Sequence, residues 1–324
     1  MSTPEFNDET TGDEVVARFK EHVLGLTVLI TGVAHTGIGG ATAIALARGG
    51  VKTLILAARS EERAAETIEA VKRINPAVTV LFLSLDLASL SSVRAAAEQI
   101  LANPTVPSID VLINNAGVCY AGDAPRLTAD GLEEMWAVCH VGHWLLTSLL
   151  MPKLLSSGSG GARVINLTSA AHSWWDGSFE DYNYAQTSTK WDGNAAYGRA
   201  KAANIVFSKG LAAKYGAQGI FSFSVNPGWV LTELSRHWSS EDFARAVEDA
   251  AKIGMVYSST PKSLEQGCAT TLVAALDPGI AQPGFNGAYF DDCQEAKTSA
   301  MTEDPAAAGK LWEVTEKLLG AKFM

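Results

Sequence analysis

Residues 26–40 read LTVLITGVAHTGIGG, and this stretch decides the fold. Its first part, Leu26 to Thr31, is a short apolar run rich in β-branched residues, which is typical of a buried parallel strand. A glycine-rich turn follows, from Gly32 to Gly40, and leads into a helical run from Ala41 to Arg48. Strand, glycine-rich turn and helix predict a phosphate-binding loop, because glycine lets the backbone approach a pyrophosphate and a helix N-terminus presents unpaired N–H groups. A mere tight turn is the alternative.

Working outward, short apolar runs alternate with helical patterns along the rest of the chain. This alternation predicts the α/β class, as one Rossmann-type, doubly wound sheet of about seven mainly parallel strands with helices on both faces. We expect a mobile tail at residues 1–18 and a single domain over 19–324, with substrate loops near 173–191 and 235–262. The further strands are predicted at Thr53–Ala58, Val78–Leu83, Ile109–Gly117, Arg163–Leu167, Ile220–Val225 and Gly287–Phe290.

Composition excludes several classes of function. The formal net charge of −10 over 324 residues argues against nucleic acid as a partner. The four cysteines are scattered without disulfide or metal spacing, which indicates a reduced, cytoplasmic protein. His140, His143 and His172 likewise lack a trustworthy metal-ligand spacing, so no metal is predicted. The long uncharged runs His22–Ala47 and Met135–Pro152 are broken by glycines or polar residues, so we expect no membrane span.

Tyr197 and Lys201 form the candidate acid/base pair. They stand four residues apart, so they share one face of a helix. A free tyrosine has a pKa near ~10, and a neighbouring ammonium favours the phenolate and lowers that pKa. Such a pair is a plausible general acid/base at neutral pH. The pattern by itself is common on solvated helices, and it gains meaning from the motifs that precede it.

Arg59 indicates the cofactor. It ends the second predicted strand, twenty residues after Gly39, where an NAD site carries an acidic residue and an NADP site an arginine. Arg59 therefore favours NADP(H), with an ordinary surface arginine as the alternative. The carboxylate of Asp86, after the third strand, is expected to accept from the adenine amino group.

With these elements in order, residues 26 to about 293 resemble the short-chain dehydrogenase/reductase family, most of all its retinol-dehydrogenase-like and fungal reductase branches. The motifs that carry the resemblance are Thr31-Gly32 with Gly37-Ile38-Gly39, Asp86-Leu87, Asn114-Asn115-Ala116-Gly117, Ser169, Tyr197 with Lys201, and Pro227-Gly228 with Thr232.

The resemblance implies a role for each matching residue. Tyr197 would be the acid/base, and Lys201 would lower its pKa and grip the nicotinamide ribose. Ser169 would bind the substrate oxygen, and Thr232 would hold the nicotinamide carboxamide. The residues implied to bind the cofactor are Gly32, Thr36, Gly37, Ile38, Gly39, Arg59, Ser60, Asp86, Leu87, Asn114, Asn115, Ala116, Gly117, Tyr197, Lys201, Pro227, Gly228, Val230 and Thr232.

Four departures from the family pattern matter. Four residues, not three, separate the first two motif glycines, and Ala200 stands where serine is common. Cys139 replaces the asparagine that usually completes the catalytic tetrad, and we interpret it as a small apolar filler. Ser169 and Tyr197 are 28 positions apart, and the added residues either line a pocket for a bulky substrate or stack on each other. These added aromatic residues are Trp174, Trp175, Phe179, Tyr182, Tyr184 and Trp191.

Together these features predict an NADP(H)-dependent oxidoreductase that interconverts a carbonyl and an alcohol on a bulky apolar or aromatic small molecule, with reduction as the expected direction. A non-redox cyclase or isomerase that retains the fold is the alternative, as is a non-catalytic cofactor-binding protein. A homodimer stays open, because the helices predicted at 133–155 and 196–215 could pair between subunits or be covered within one. The substrate and the stereochemistry do not follow from the sequence.

Overall fold

An eight-stranded sheet lies at the centre of the protein in a computed structural model, which describes residues 6–121, 124–158, 160–185, 191–235, 238–252 and 260–323. The strand order is β3-β2-β1-β4-β5-β6-β7-β8, and every neighbouring pair is parallel except β7 and β8. The strands are β1 Thr27–Thr31, β2 Thr53–Ala58, β3 Thr79–Ser84, β4 Val111–Asn114, β5 Ala162–Leu167, β6 Ile220–Asn226, β7 Tyr289–Asp291 and β8 Gln294–Ala296.

Helices cover both faces of this sheet, which explains why β1, β2 and β4 are buried along their whole length. Among the described residues, none of the helices is both long and apolar enough to cross a membrane. The α-helices are α1 Gly12–Arg18, α2 Lys20–Val23, α3 Ile38–Gly49, α4 Glu61–Ile74, α5 Leu90–Ala102, α6 Glu134–Trp136, α7 Gly142–Leu155, α8 Gly193–Tyr215, α9 Ser240–Lys252, α10 Leu264–Gly267, α11 Ala269–Leu276 and α12 Ala307–Leu319.

The strand order reverses between β1 and β4, because the chain winds outward from β1 in one direction and from β4 in the other. Ligands of doubly wound sheets bind at this switch point, beyond the carboxyl ends of the strands. The predicted single doubly wound sheet is thus confirmed, with β8 as an additional antiparallel edge strand.

The N-terminal segment differs from the expected mobile tail. Thr11 and Glu14 form a capping box in which each side chain accepts from the other residue's backbone N–H, and helix α1 begins there. Val15 and Val16 on α1 are buried. A side chain at Gly12 would collide with Cys268, so α1 packs closely on the rest of the domain. The prediction of a mobile tail is therefore wrong from residue 6 onward, because burial of α1 offsets the entropy of ordering it.

The helix predicted at 133–155 is interrupted by a wider turn. Residues Ala137–Val141 form a π-helical turn between α6 and α7, and the N–H of Gly142 bonds to the carbonyl of Ala137, five residues earlier. Turns of this kind are frequent at functional sites. Gly142 is required there because a Cβ would lie 2.7 Å from the carbonyl oxygen of Leu87.

Helix α12 covers part of the surface of α7 and α8. The sequence leaves open whether this surface pairs with a second subunit or is covered within one chain. The indole of Trp312 lies 5.5 Å from the ring of Phe207 on α8 and 6.1 Å from that of Trp144 on α7, between ring centroids. Phe323 closes the same cluster, 4.6 Å from Trp144. Of the two alternatives for these helices, the covered one is observed at this cluster.

Candidate active site

One cleft at the carboxyl ends of the strands collects most of the predicted site residues. It measures about 1240 Å³, including open solvent at its mouth, and spans the switch point between β1 and β4. Its wall includes, of the predicted residues, Gly32, Thr36, Gly37, Ile38, Arg59, Asp86, Leu87, Asn115, Ala116, Gly117, Tyr197, Lys201, Pro227 and Thr232.

The glycine-rich turn presents an uncapped helix to this cleft. Gly37 is the N-cap of the twelve-residue helix α3, and no side chain caps its N-terminal N–H groups. Those N–H groups and the positive end of the helix dipole suit an anion such as a phosphate. Gly39 lies behind the turn, where a Cβ would be 2.5 Å from both Asn115 Nδ2 and the carbonyl oxygen of Gly32. It therefore serves close packing of the turn against β4.

Asn115 joins the carboxyl ends of β1 and β4. Its Nδ2 donates to the carbonyl oxygens of Thr31 at 2.7 Å and Gly32 at 3.0 Å. In return, the Thr31 hydroxyl accepts from the backbone N–H groups of Asn115 and Ala116, both at 3.0 Å. Asn114, in contrast, points its amide into the protein, where Nδ2 donates to Thr147 and Asn166. Asn115 thus shapes the cleft and Asn114 braces the sheet behind it.

Tyr197 and Lys201 lie on one face of α8 and both line the cleft, although each is less than 10% exposed. The Lys201 Nζ donates to the carbonyl oxygen of Leu167 at 3.1 Å and lies 5.4 Å from the centroid of the Tyr197 ring. The hydroxyl of Thr168, at the end of β5, donates to the Lys201 carbonyl at 2.7 Å. These bonds hold the helix that carries the pair against β5.

Ser169 lies beside the cleft, outside the residues that line it. Its hydroxyl accepts from the N–H of Ala171 at 3.2 Å and so caps a short 3₁₀ helix, Ala170–Trp174. A hydroxyl in this role keeps its own proton for another acceptor. Its predicted contact with the substrate oxygen stays a prediction.

Two arginines stand at the end of the cleft near β2. Arg59 follows that strand, and Arg63 lies one turn further along α4. Glu233 reaches this region from across the cleft: its carboxylate lies 3.9 Å from Arg63 Nη1 and accepts from the Thr36 hydroxyl at 3.0 Å. Sequence reasoning overlooked Arg63 and Glu233. Arg63 could have been found from its one-turn spacing to Arg59, whereas the Thr36–Glu233 contact joins residues 197 positions apart.

Other predicted residues act at or behind the wall. The Asp86 carboxylate lines the cleft and accepts from the N–H of Ala88 at 3.0 Å, and the Thr232 hydroxyl accepts from Leu234 at 3.2 Å. Besides Gly39, Asn114 and Ser169, three further predicted residues lie outside the lining. They are Ser60, which is the N-cap of α4, Gly228, and Val230, which packs on Gly267.

Cys139 is fully buried in the π-helical turn. Its thiol donates to the carbonyl of Val118 at 3.5 Å, and burial raises the pKa of the thiol. A buried thiol of raised pKa is a poor nucleophile, which agrees with its interpretation as a filler. The carbonyl of Cys139 accepts from Nδ1 of His143 at 3.2 Å. Among the described residues, no cluster of three or more His, Cys, Asp or Glu side chains is placed to hold a metal ion.

The aromatic segment, residues 173–185, packs on itself and on α6 instead of lining the cleft. Trp175 and Phe179 stack with ring centroids 4.3 Å apart, and Tyr182 stacks on Trp136 at 5.9 Å. The described part therefore follows the stacking alternative. Residues 186–190 of the predicted loop near 173–191, and residues 236–237 and 253–259 of the one near 235–262, lie outside the described residues.

Comparison with known proteins adds the following findings. The family model described as short chain dehydrogenase matches residues 26–242. Short-chain dehydrogenase TIC 32 B of Brassica napus is 36% identical over 299 residues, which is 91% of this chain and 88% of that protein. Retinol dehydrogenase 14 of Mus musculus is 35% identical over 306 residues, covering 91% and 86%.

Solved structures agree on the fold. An uncharacterized protein from Mycobacterium Paratuberculosis superposes with a TM-score of 0.68 at 29% identity, covering 93% of this chain and 95% of that one. The NADPH-bound carbonyl reductase from chicken fatty liver superposes with a TM-score of 0.61 over 85% of this chain and 100% of that one. At 22% identity the second likeness concerns the fold alone.

Proposed function

Since the chain belongs to the short-chain dehydrogenase family, and its oxidoreductases act on alcohols and carbonyls, we propose that it is an NADP(H)-dependent enzyme that reduces a ketone or aldehyde to an alcohol. The observation that carries the proposal is that Tyr197 and Lys201 line the same cleft as the glycine-rich turn. An acid/base pair and a phosphate-binding turn are thereby joined in one site.

Residues along the cleft would suit the successive parts of a dinucleotide. The uncapped N-terminus of α3 suits the diphosphate, Arg59 a 2′-phosphate, and Asp86 the adenine amino group. Lys201 would hold the nicotinamide ribose and Thr232 the carboxamide. When bound, the nicotinamide supplies the hydride that the substrate carbon accepts.

The chain itself supplies the proton chemistry. As the carbonyl is reduced, negative charge develops on its oxygen, and the Tyr197 hydroxyl donates a proton to that oxygen. The Lys201 ammonium, 5.4 Å from the ring centroid, stabilises the phenolate that remains. The Ser169 hydroxyl, whose proton is not used in capping, would donate a second hydrogen bond to the same oxygen.

A bulky apolar or aromatic substrate fits the wall of the cleft. Val118, Val138 and Leu234 line it and offer apolar surface. The relatives named retinol dehydrogenase carry an apolar substrate in their names. The aromatic segment contributes no lining residue, so we assign the recognition of the substrate to these aliphatic side chains.

The decisive experiment is an NADPH-consumption screen with aromatic ketones, quinones, retinoid-like aldehydes and polyketide-type carbonyls. We expect stoichiometric loss of NADPH absorbance with at least one class. In Tyr197→Phe, NADPH binding should persist while turnover falls by roughly 10² to 10⁴-fold. Lys201→Met should damage both. Near-normal turnover of the Phe variant would contradict the assignment.

A cyclase or isomerase is the second candidate, favoured by Cys139 at the usual asparagine position. Product formed without any change in cofactor absorbance would select it over the reductase. A location in the cytoplasm belongs to the same proposal. It is supported by the four cysteines, all of which are buried free thiols, and fluorescence microscopy of the tagged protein would test it.

A further inference from the structure

A buried histidine links two elements that form the cleft wall, the end of β1 and the π-helical turn. His143 on α7 is 1% exposed, and its Nε2 lies 2.8 Å from the hydroxyl oxygen of Thr31 at the end of β1. Its Nδ1 lies 3.2 Å from the carbonyl oxygen of Cys139 in the π-helical turn. Both ring nitrogens are therefore within hydrogen-bonding distance of the wall.

The partners assign the proton on this ring. A carbonyl oxygen can only accept, so Nδ1 of His143 donates to Cys139, and Nε2 of the neutral ring accepts from the Thr31 hydroxyl. The ring is neutral because burial lowers the pKa of His143 to about 3. The Thr31 hydroxyl thus points its proton at His143 and turns its lone pairs to the N–H groups of Asn115 and Ala116.

These bonds form a closed network around the carboxyl end of β4. From Thr31 the network passes to Ala116 through a hydrogen bond and along the chain to Val118. The Val118 carbonyl accepts from the Cys139 thiol, the Cys139 carbonyl accepts from His143, and His143 returns to Thr31.

Gly117 belongs to this closed network and lies next to Lys201. A Cβ on Gly117 would be 3.5 Å from the Lys201 Nζ and 3.6 Å from the Cys139 sulfur. Any displacement of residues 115–118 would therefore change the space beside Lys201.

We propose that His143 is a positioning residue, which holds residues 115–118 against Lys201 and so sets the width of the cleft where the nicotinamide end of the cofactor would lie. The ligand in this statement rests on the proposed function, whereas the positioning of the strand end does not. His143 touches no reacting atom and acts only through Thr31 and Cys139.

The chain offers a matched control in His140. It lies on the preceding turn, is also fully buried, and burial lowers its pKa to about 3 as well. Its Nε2 lies 3.4 Å from the Thr315 hydroxyl of α12, and its ring packs on Trp136. His140→Leu therefore also removes a buried neutral imidazole, but it leaves the closed network of hydrogen bonds intact.

The first readout needs no cofactor. In hydrogen-exchange mass spectrometry of the ligand-free protein, His143→Leu should speed exchange of the Asn115 and Ala116 amides at least ten-fold, whereas His140→Leu should leave it within two-fold of the parent. Unchanged exchange in His143→Leu would overturn the proposal. Faster exchange in a protein whose parent fails to bind NADPH would leave the positioning role standing and refute only the proposed function.

The second readout is the Kd for NADPH, from its fluorescence. We expect a rise of at least ten-fold in His143→Leu and in Thr31→Val, and a return to within three-fold of the parent in Thr31→Ser, which keeps the hydroxyl. In the double variant the loss of binding free energy should be smaller than the sum of the losses in the two single variants, because the Thr31–His143 bond is lost only once. Should His143→Leu fail to fold, equal exchange rates and equal Kd values in Thr31→Val and Thr31→Ser would overturn the proposal by themselves.

Discussion

Different forces hold the aromatic segment and the proposed cofactor side of the cleft, which comprises the glycine-rich turn, Arg59 and residues 115–118. On the cofactor side, directional hydrogen bonds such as those from Asn115 Nδ2 to Thr31 and Gly32 join residues more than 80 positions apart. In the aromatic segment, rings such as Trp175 and Phe179 lie in contact. The indole N–H groups of Trp174 in this segment and of Trp136, on which Tyr182 stacks, have no hydrogen-bond partner among the described residues.

The difference shows what each region can do. Hydrogen bonds fix atoms to within a few tenths of an ångström and demand particular donors at particular positions. Ring packing stabilises through buried area and accepts several arrangements of similar energy. We therefore expect changes in the aromatic segment to alter the stability of the protein, and changes on the cofactor side to alter binding and turnover.

The largest effect is expected from Trp175→Ala. The indole is 5% exposed, stacks on Phe179 and donates to the carbonyl of Ser178. Its removal should lower the free energy of unfolding by about 3–5 kcal/mol, measured by urea denaturation. Trp175→Phe, as the control, should lose clearly less. If Trp175→Ala keeps its stability but loses turnover, the aromatic segment belongs to the substrate site after all.

Glu133, which joins the aromatic segment to α6, should give a pH-dependent effect. Its carboxylate accepts from the N–H groups of Met135 and Trp136, and burial raises its pKa from 4.5 to about 7. Between these two values the folded protein keeps a proton that the unfolded chain has lost. The contribution of Glu133 to the free energy of unfolding therefore falls by about 3 kcal/mol as the pH rises from 4.5 to 7.

Glu133→Gln should remove this dependence. The measurement is the difference in unfolding free energy between variant and parent across that pH range. The opposite contributions of His140 and His143, whose pKa values are lowered, are shared by both proteins and cancel in the difference. Parallel stability curves would refute the raised pKa.

On the cofactor side, Arg59→Ala should change selectivity without changing stability. A guanidinium–phosphate contact contributes roughly 1.5–3 kcal/mol, so the parent should bind NADPH about ten- to a hundred-fold more tightly than NADH. The variant should lose most of that gap, as measured by titration with both cofactors. Arg48→Ala is the control, because Arg48 pairs with Asp13 away from the cleft. Equal affinities of the parent for both cofactors would sink the assignment of NADP(H).

The smallest effect is expected at Cys139. An asparagine there could keep a donor to the Val118 carbonyl and would help to fix the π-helical turn. The expected gain is that of one hydrogen bond, ~1 kcal/mol. Cys139→Asn should raise kcat by no more than about ten-fold, and Cys139→Ala should stay close to the parent. A parent without redox turnover that gains it in Cys139→Asn would instead support the non-redox alternative.

Some features of this chain are readable from neighbouring residues. The run from Leu26 to Gly40 already implies strand, turn and helix, because these elements depend on short-range periodicity and on where glycine stands. The spacing of Tyr197 and Lys201 placed both on one face of α8 for the same reason. Even the overlooked helix α1 carries a local signal, the Thr11–Glu14 capping box.

Other features depend on which elements meet. The sequence around Thr36 gives no sign of its contact with Glu233. The sequence around His143 likewise gives no sign of its contact with Thr31, 112 positions away. Likewise, the aromatic residues could be recognised in the sequence, but their direction, toward the cleft or toward Trp136, is set by the shape of the surface beneath them. Local patterns are set by each residue's own conformational preference, whereas these contacts arise only when distant strands pair and their ends converge, so the folded protein alone decides them.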